Sequence, residues 1–257
     1  MQNLKIAALQ FNQIWENKIV NREIILKLLS VLDKVDLILL PEMFDTGFSM
    51  NISMAEEWGS TNTSLSFLQE IATKYNSAIY TSFMIKEGNQ FKNRGVFIKP
   101  NGTFEIYDKR KVFGLGGEDK CYSPGSSETI VDYLGWKFNC QICYDLRFPE
   151  MCRNRLLENG RSAYDVLLYV ANWPEKRIEH WKSLLKARAI ENQCYVIGVN
   201  RVGIDGNNLS YSGDSSLFDA LGNQILTYQS GEQLFCYELN IDKLLEIRLN
   251  LPFLKDC

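Results

Sequence analysis

Two uninterrupted apolar runs, residues 36–40 (DLILL) and 166–170 (VLLYV), constrain this chain more than any other feature. A strand without polar alternation is buried on both faces, so each run needs a layer above and below it. Covering elements lie close by in the sequence. Amphipathic spacing predicts helices over residues 21–32, 63–75 and about 177–192, and a short one over 242–250. Further strands are expected at 5–10, 78–85, 195–200 and 234–238. Hairpins break the alternation at three places: 93–98 with 103–107 around Lys99-Pro100-Asn101-Gly102, 128–133 with 136–143, and 215–218 with 224–228 around Asp219-Ala220-Leu221-Gly222. Residues 152–158 read as helical and 203–213 as loop. Strand–helix alternation with inserted hairpins predicts an α/β layered protein whose sheets are mixed. At 257 residues and with no break in composition, the chain reads as one domain, its core over about 4–238 and a tail over 239–257.

Bulk chemistry narrows the partners. The net charge is −3 and no basic block occurs, which argues against nucleic acid or an anionic membrane surface. No stretch approaches the roughly 20 apolar residues of a membrane span, and the first residues do not read as a secretory leader, so a cytoplasmic protein is expected. Seven cysteines, mostly scattered singly, fit reduced thiols better than a disulfide framework. Cys140 and Cys143 form a C-x-x-C pair, but a strand places them on opposite faces and no second pair follows. With one histidine, His180, and no glycine-rich phosphate loop, neither a metal nor an organic cofactor is expected.

Cys143 ends a buried-looking strand and enters a turn, Cys143-Tyr144-Asp145-Leu146-Arg147-Phe148-Pro149-Glu150. Such a position can present sulfur at the rim of a sheet beside backbone N–H groups, although free cysteines are also common core residues. Glu42 follows the first apolar run and Pro41, as a cap or as a site residue. Lys109 and Glu118 lie in a glycine- and charge-rich segment, 108–125, too polar for core. A carboxylate, an ammonium and a thiol together suffice for acyl transfer without histidine, because the acid removes the thiol proton and the cation holds the oxyanion.

The ordered blocks LLPEMFDTGF (39–48), YDKRKVF (107–113) and CYDLRFPE (143–150) resemble the nitrilase superfamily of carbon–nitrogen hydrolases. The segments Ala171-Asn172-Trp173-Pro174, His180-Trp181, 187–193 (ARAIENQ) and 200–203 (NRVG) resemble its omega-amidase branch. The resemblance implies a four-layer αββα sandwich with two mixed sheets. By position it makes Glu42 the general base, Lys109 the oxyanion-stabilising lysine, Cys143 the nucleophile and Glu118 a supporting glutamate, with the Tyr144 backbone N–H completing the oxyanion hole. It implies hydrolysis of the side-chain amide of 2-oxoglutaramate or 2-oxosuccinamate by water, and a homodimer formed through helices near 152–159 and 177–192. Another small amide, such as deaminated glutathione or an N-carbamoyl amino acid, is the alternative substrate; alternatives of other classes are a non-catalytic binding protein, against which Glu42, Lys109 and Cys143 together argue, and a thiol redox protein built on Cys140 and Cys143. At Lys111 this chain departs from the histidine usual in the family. Phe48, Tyr144 and Trp173 are expected as pocket walls. Arg147 is expected either on the substrate's distal carboxylate or as a brace to Glu150 or Asp145.

Overall fold

A computed structural model describes residues 2–226 and 230–256. Strand β1 (Leu4–Gln10) leads into helix α1 (Lys18–Leu29), whose first turn is capped by the Asn17 side chain accepting from the Val20 N–H. Strands β2 (Leu37–Leu39) and β3 (Glu56–Glu57) precede helix α2 (Thr63–Tyr75). Asn62 caps that helix at Leu65, and Asn76 ends it in the left-handed region at φ +48°. The hairpin strands β4 (Ala78–Glu87), β5 (Gln90–Ile98) and β6 (Phe104–Asp108) follow. The first sheet has the order β14-β1-β2-β4-β5-β6, with β3 beside β4 and β14 spanning Gln233–Leu239.

The second sheet is built from β7 (Ile130–Tyr133), β8 (Trp136–Ile142), β9 (Val166–Ala171), β10 (Tyr195–Asn200) and β13 (Ser216–Phe218), in the order β13-β10-β9-β8-β7. Helix α3 (Ile178–Asn192) connects β9 to β10, and α4 (Ile241–Asn250) follows β14. Both sheets are mixed: β1, β2 and β4 run parallel, as do β8, β9 and β10, with antiparallel strands at their flanks.

Alternation along the strands fixes the layers. On β1, Leu4, Ile6 and Ala8 join the cluster between the sheets, whereas Ala7 and Leu9 join Ile25 and Leu29 of α1 and Leu68, Ile71 and Ala72 of α2 on the other face. Trp181, Leu185 and Ala189 of α3 belong to the same large cluster as the second sheet, which completes the four-layer αββα sandwich. Gly198 on β10 illustrates how closely this layer packs. An added Cβ there would lie 2.5 Å from Leu185 and 2.6 Å from Trp181. Ile241, Leu244 and Ile247 of α4 are buried in that cluster too, so the tail's helix is built into the core.

Two local expectations are corrected. Residues 152–158 are not helical: a 3-10 turn at Pro149–Met151 gives way to loop, with a single bridge between Leu156 and Ser162. Asn154 diverts the backbone, since its amide donates to the carbonyls of Tyr164 (3.1 Å) and Asn192 (2.9 Å) while its own N–H donates to the Asn192 side chain (2.8 Å). These bonds replace the helical ladder. Residues 203–213 contain a small hairpin, β11 (Val202–Ile204) with β12 (Ser210–Ser212), whose turn is held by Asp205 accepting from the N–H groups of Asn207 and Leu209. Three-residue strands are too short to declare themselves by period. The expected strand over 224–228 falls partly outside the described residues, although Gln224 bridges to Phe218. Among the described residues no helix is long and apolar enough to cross a membrane.

Candidate active site

The apolar strands deliver polar residues at their ends. Glu42 lies just beyond β2, Lys109 directly after β6, Cys143 directly after β8 and Asn172 directly after β9, and Glu118 opens a 3-10 turn in the long loop. Ends of parallel strands in α/β sheets are where crevices form. Cys143 adopts φ +45°, a left-handed conformation rare for a residue with a side chain, as β8 turns sharply into the 3-10 segment Cys143–Arg147. The bend brings Cys143 and Tyr144 to the pocket, at the head of a turn whose leading N–H groups have no carbonyl partner within it.

The turn is pinned by Asp145. Its carboxylate accepts from the N–H of Ile142 (3.0 Å), the N–H of Lys111 (2.9 Å) and the hydroxyl of Tyr107 (2.8 Å), which ties the elbow to the Lys109 loop. Arg188 of α3 supports it from behind, donating to the Leu146 carbonyl at 2.7 Å and pairing with Glu191 three residues on at 2.9 Å.

Four expected residues converge. Lys109 Nζ donates to Glu42 Oε1 at 2.8 Å and to both Glu118 oxygens at 3.0 and 2.9 Å, and all three side chains are buried. Phe113 N–H donates to Glu118 at 2.6 Å. The Glu42 carboxylate also accepts from Asn93 Nδ2 (2.8 Å) and from the Asn172 N–H (2.9 Å), and the Cys143 thiol donates to the carbonyl of the same Asn172 at 3.9 Å. Two acids flank one buried ammonium. Burial, and after it the Glu42 charge, pushes the Cys143 thiol well above its ordinary value, with Lys109 opposing. The resting thiol is therefore neutral, and its proton must leave as the sulfur attacks. Glu118 is likewise held above the usual carboxylate range by burial, against the pull of Lys109. Lys109 is raised by Glu118 and Glu42, which outweigh its own desolvation, and stays charged.

These groups open onto a cavity of about 500 Å³. Phe48, Phe113, Tyr144, Trp173 and Tyr211 form aromatic walls, with Lys109 and Cys143 among the polar lining. The Phe48 ring lies 5.1 Å from Lys109 Nζ, and Phe113 packs against Tyr144 at 4.9 Å. Arg147 lines the same cavity. It lies over Trp173 at 4.6 Å and pairs with His180 Nδ1, and neither Glu150 nor Asp145 forms an ion pair with it, so the bracing alternative is set aside. Lys111 faces away, over Phe148 at 4.6 Å and 4.0 Å from Glu150, so its departure from histidine leaves the cluster untouched.

Sequence reading missed Asn93, Gln13, Trp15, Arg177 and Tyr211. Asn93 sits inside β5 with no motif around it, yet it donates to both Glu42 and Glu118. Gln13 holds the Glu42 and Met43 carbonyls at 3.0 Å each. Asn172 lay within a noted segment without a role, and its side chain donates to the Glu42 carbonyl at 2.6 Å.

Two predictions arise here. Gly125 donates its N–H to the Lys109 carbonyl at 2.9 Å, and a Cβ there would come within 2.2 Å of the Asp108 carbonyl oxygen. Gly125→Ala therefore forces the Lys109 strand aside, with a loss of about 1–3 kcal/mol of stability and a fall in kcat. Urea unfolding and ammonia-release assays check both. Cys140, by contrast, faces the buried space between the sheets, where burial pushes its thiol up, and no disulfide joins the six described cysteines. Cys140→Ser is expected to keep kcat within about threefold while costing about 1–2 kcal/mol for a buried hydroxyl. Activity loss comparable to that of a Cys143 variant would reinstate a dithiol mechanism.

Known proteins are similar to this chain over most or all of its length. The omega-amidase YafV of Yersinia enterocolitica is 38% identical, covering 100% of this chain and 97% of its own length. The 2-oxoglutaramate amidase of Bacillus subtilis (strain 168) is 32% identical over 86% of this chain and 84% of its own. Among solved structures, the CN-hydrolase superfamily protein XC1258 from Xanthomonas campestris superposes with a TM-score of 0.96 at 38% identity, covering 100% of this chain and 98% of that one. Its structure carries an arsenic adduct in the active site. The sequence model of the carbon-nitrogen hydrolase family matches residues 5–248, and this chain belongs to that family.

Proposed function

We propose that the protein is an omega-amidase, which hydrolyses the side-chain amide of 2-oxoglutaramate or 2-oxosuccinamate to the dicarboxylate and ammonia. The observation that carries the reading is the buried Cys143 thiol, joined through Asn172 to Glu42, whose carboxylate shares Lys109 with Glu118. The full-length similarity to a named omega-amidase, and the similarity over most of the chain to a 2-oxoglutaramate amidase, support it.

In the proposed mechanism Glu42 takes the thiol proton as the sulfur attacks the amide carbon. Lys109 and the Tyr144 N–H hold the oxyanion, and Glu118 keeps the ammonium aimed. Collapse of the tetrahedral adduct breaks the C–N bond. Glu42 returns the proton to the departing ammonia, leaving a thioester on Cys143. Water, deprotonated by Glu42, then cleaves the thioester to the acid and restores the thiol. No step calls for a metal or an organic cofactor. Phe48, Tyr144 and Trp173 enclose the chain of the substrate, and Arg147 takes its distal carboxylate.

The same proposal includes a single catalytic domain over 1–257, a cytoplasmic setting and a homodimer. The setting is supported by the free cysteines, and the dimer by the family membership. With residues 152–159 lacking a helix, the dimer contact rests on α3, and sedimentation at twice the 29.6 kDa chain mass is its test.

A substrate panel tests the activity. Ammonia release is expected to be fastest with 2-oxoglutaramate or 2-oxosuccinamate and much slower with glutamine, N-carbamoyl amino acids and deaminated glutathione. Faster release from any of the latter three would move the assignment to another amidase, and no release from any would remove it.

A further inference from the structure

A second arginine lines the cavity with no role in the chemistry above. Arg177 ends the 3-10 turn Glu175–Arg177, between β9 and α3, and its guanidinium lies over the Phe113 ring at 5.4 Å. Its own carbonyl accepts from Trp173 Nε1 at 2.8 Å, which fixes the turn to the wall against which Arg147 stacks. The two guanidinium groups thus reach the pocket from different elements, each laid on an aromatic face. Neither forms an ion pair with a carboxylate among the described residues. The acids of the same cavity are engaged elsewhere: Glu16 accepts from the Ser49 hydroxyl and Asn51, and Asp205 from Tyr211 and two backbone N–H groups. Burial, followed by the charge of Arg177, pushes the Arg147 guanidinium below its ordinary value, so the two cations feel one another.

Aromatic stacking holds a guanidinium in place without neutralising it. A monocarboxylate needs one such group, and a second uncompensated cation beside the first is unfavourable unless the ligand offers a further acceptor. We propose that Arg177 reads the 2-oxo oxygen of the substrate while Arg147 holds the carboxylate, and that the pair turns away amides bearing an ammonium at that carbon. A ketone presents lone pairs to the second guanidinium. The ammonium of glutamine would instead add a third positive charge, so the site selects by repulsion as well as attraction. This inference rests on the amidase reading of the same pocket.

The test measures ammonia release by wild type, Arg177→Gln and Arg177→Lys with three amides of equal chain length: 2-oxoglutaramate, glutaramate without the ketone, and glutamine. Arg177→Gln is expected to raise KM for 2-oxoglutaramate about 10- to 100-fold with kcat little changed, and to alter glutaramate turnover less than about threefold. The preference for ketone over amine then falls at least about tenfold, and Arg177→Lys keeps part of it. Proportional losses on all three amides, or no change on any, would overturn the role of Arg177 with the amidase reading intact. Wild type inactive on both acid amides would overturn the amidase reading and this inference with it. A binding arm is independent of turnover. Calorimetric titration of Cys143→Ala with 2-oxoglutarate and with glutarate, each with and without Arg177→Gln, is expected to show the 2-oxo preference vanish with the arginine. An unchanged preference contradicts the proposal.

Discussion

Cys143→Ala lowers kcat by roughly 10⁴-fold or more. Ser49 carries the one aliphatic hydroxyl among the other described lining residues, and it is committed to Glu16, while the Lys109 amine is held between two acids. The fold is expected to survive. Cys143 is 8% exposed, and replacing one small side chain by another at the same left-handed φ removes only a sulfur's packing, about 1 kcal/mol or less. The pair of measurements is steady-state ammonia release and the thermal midpoint. Lost activity with a retained midpoint is the expected pattern, and residual turnover within a hundredfold of wild type would transfer the nucleophile's role elsewhere.

Lys109→Met has the second largest effect and strikes both catalysis and stability. It removes an oxyanion contact, worth about 10²- to 10³-fold in kcat. It also leaves Glu42 and Glu118 buried without their shared cation, and breaking a buried pair in this way costs about 3–5 kcal/mol. The pH dependence follows from direction alone. Glu118 already sits above its ordinary value through burial, and losing Lys109 raises it further. A carboxyl whose folded value exceeds its unfolded one binds more protons when folded. Its favourable share is present below the ordinary carboxylate value and is lost as pH rises through the raised one. The deficit of Lys109→Met should accordingly shrink at pH 5 relative to pH 8 in urea unfolding. A deficit independent of pH would mean that the two acids are not held by this lysine.

The layers of this protein are legible in the sequence because periodicity is local. Helix α2 matches its expected bounds, and α1 and α3 lie within a few residues of theirs, since each repeats apolar residues over three or more turns. Strands β9 and β10 are equally clear as unbroken apolar runs. The failures occur where side chains compete with the backbone. Asn154 draws residues 152–158 out of a helix through partners 10 and 38 residues away, which no local window contains.

The site divides in the same way. Glu42, Lys109 and Cys143 were visible because they end strands or fill a polar loop, and their convergence follows from strand order. Glu118 was visible in the same polar loop, and the family pattern gave it a role. Asn93 and Gln13 were not visible, because their role is to hold a carboxylate or a carbonyl across sequence separations of 51 and 29 residues. Arg177 carried no signal of its own. A charged residue in a turn after Pro174 reads as solvated surface until the Phe113 ring is found beneath it.

The central claim is that the amide's acyl group passes through Cys143. Its most direct test is rapid acid quenching of wild-type enzyme during turnover of 2-oxoglutaramate, followed by peptide mass mapping. The account predicts an adduct equal to the substrate less ammonia on the peptide containing Cys143, absent from Cys143→Ala. The same adduct on the Cys152 or Cys194 peptide, with Cys143 unmodified throughout turnover, would contradict it.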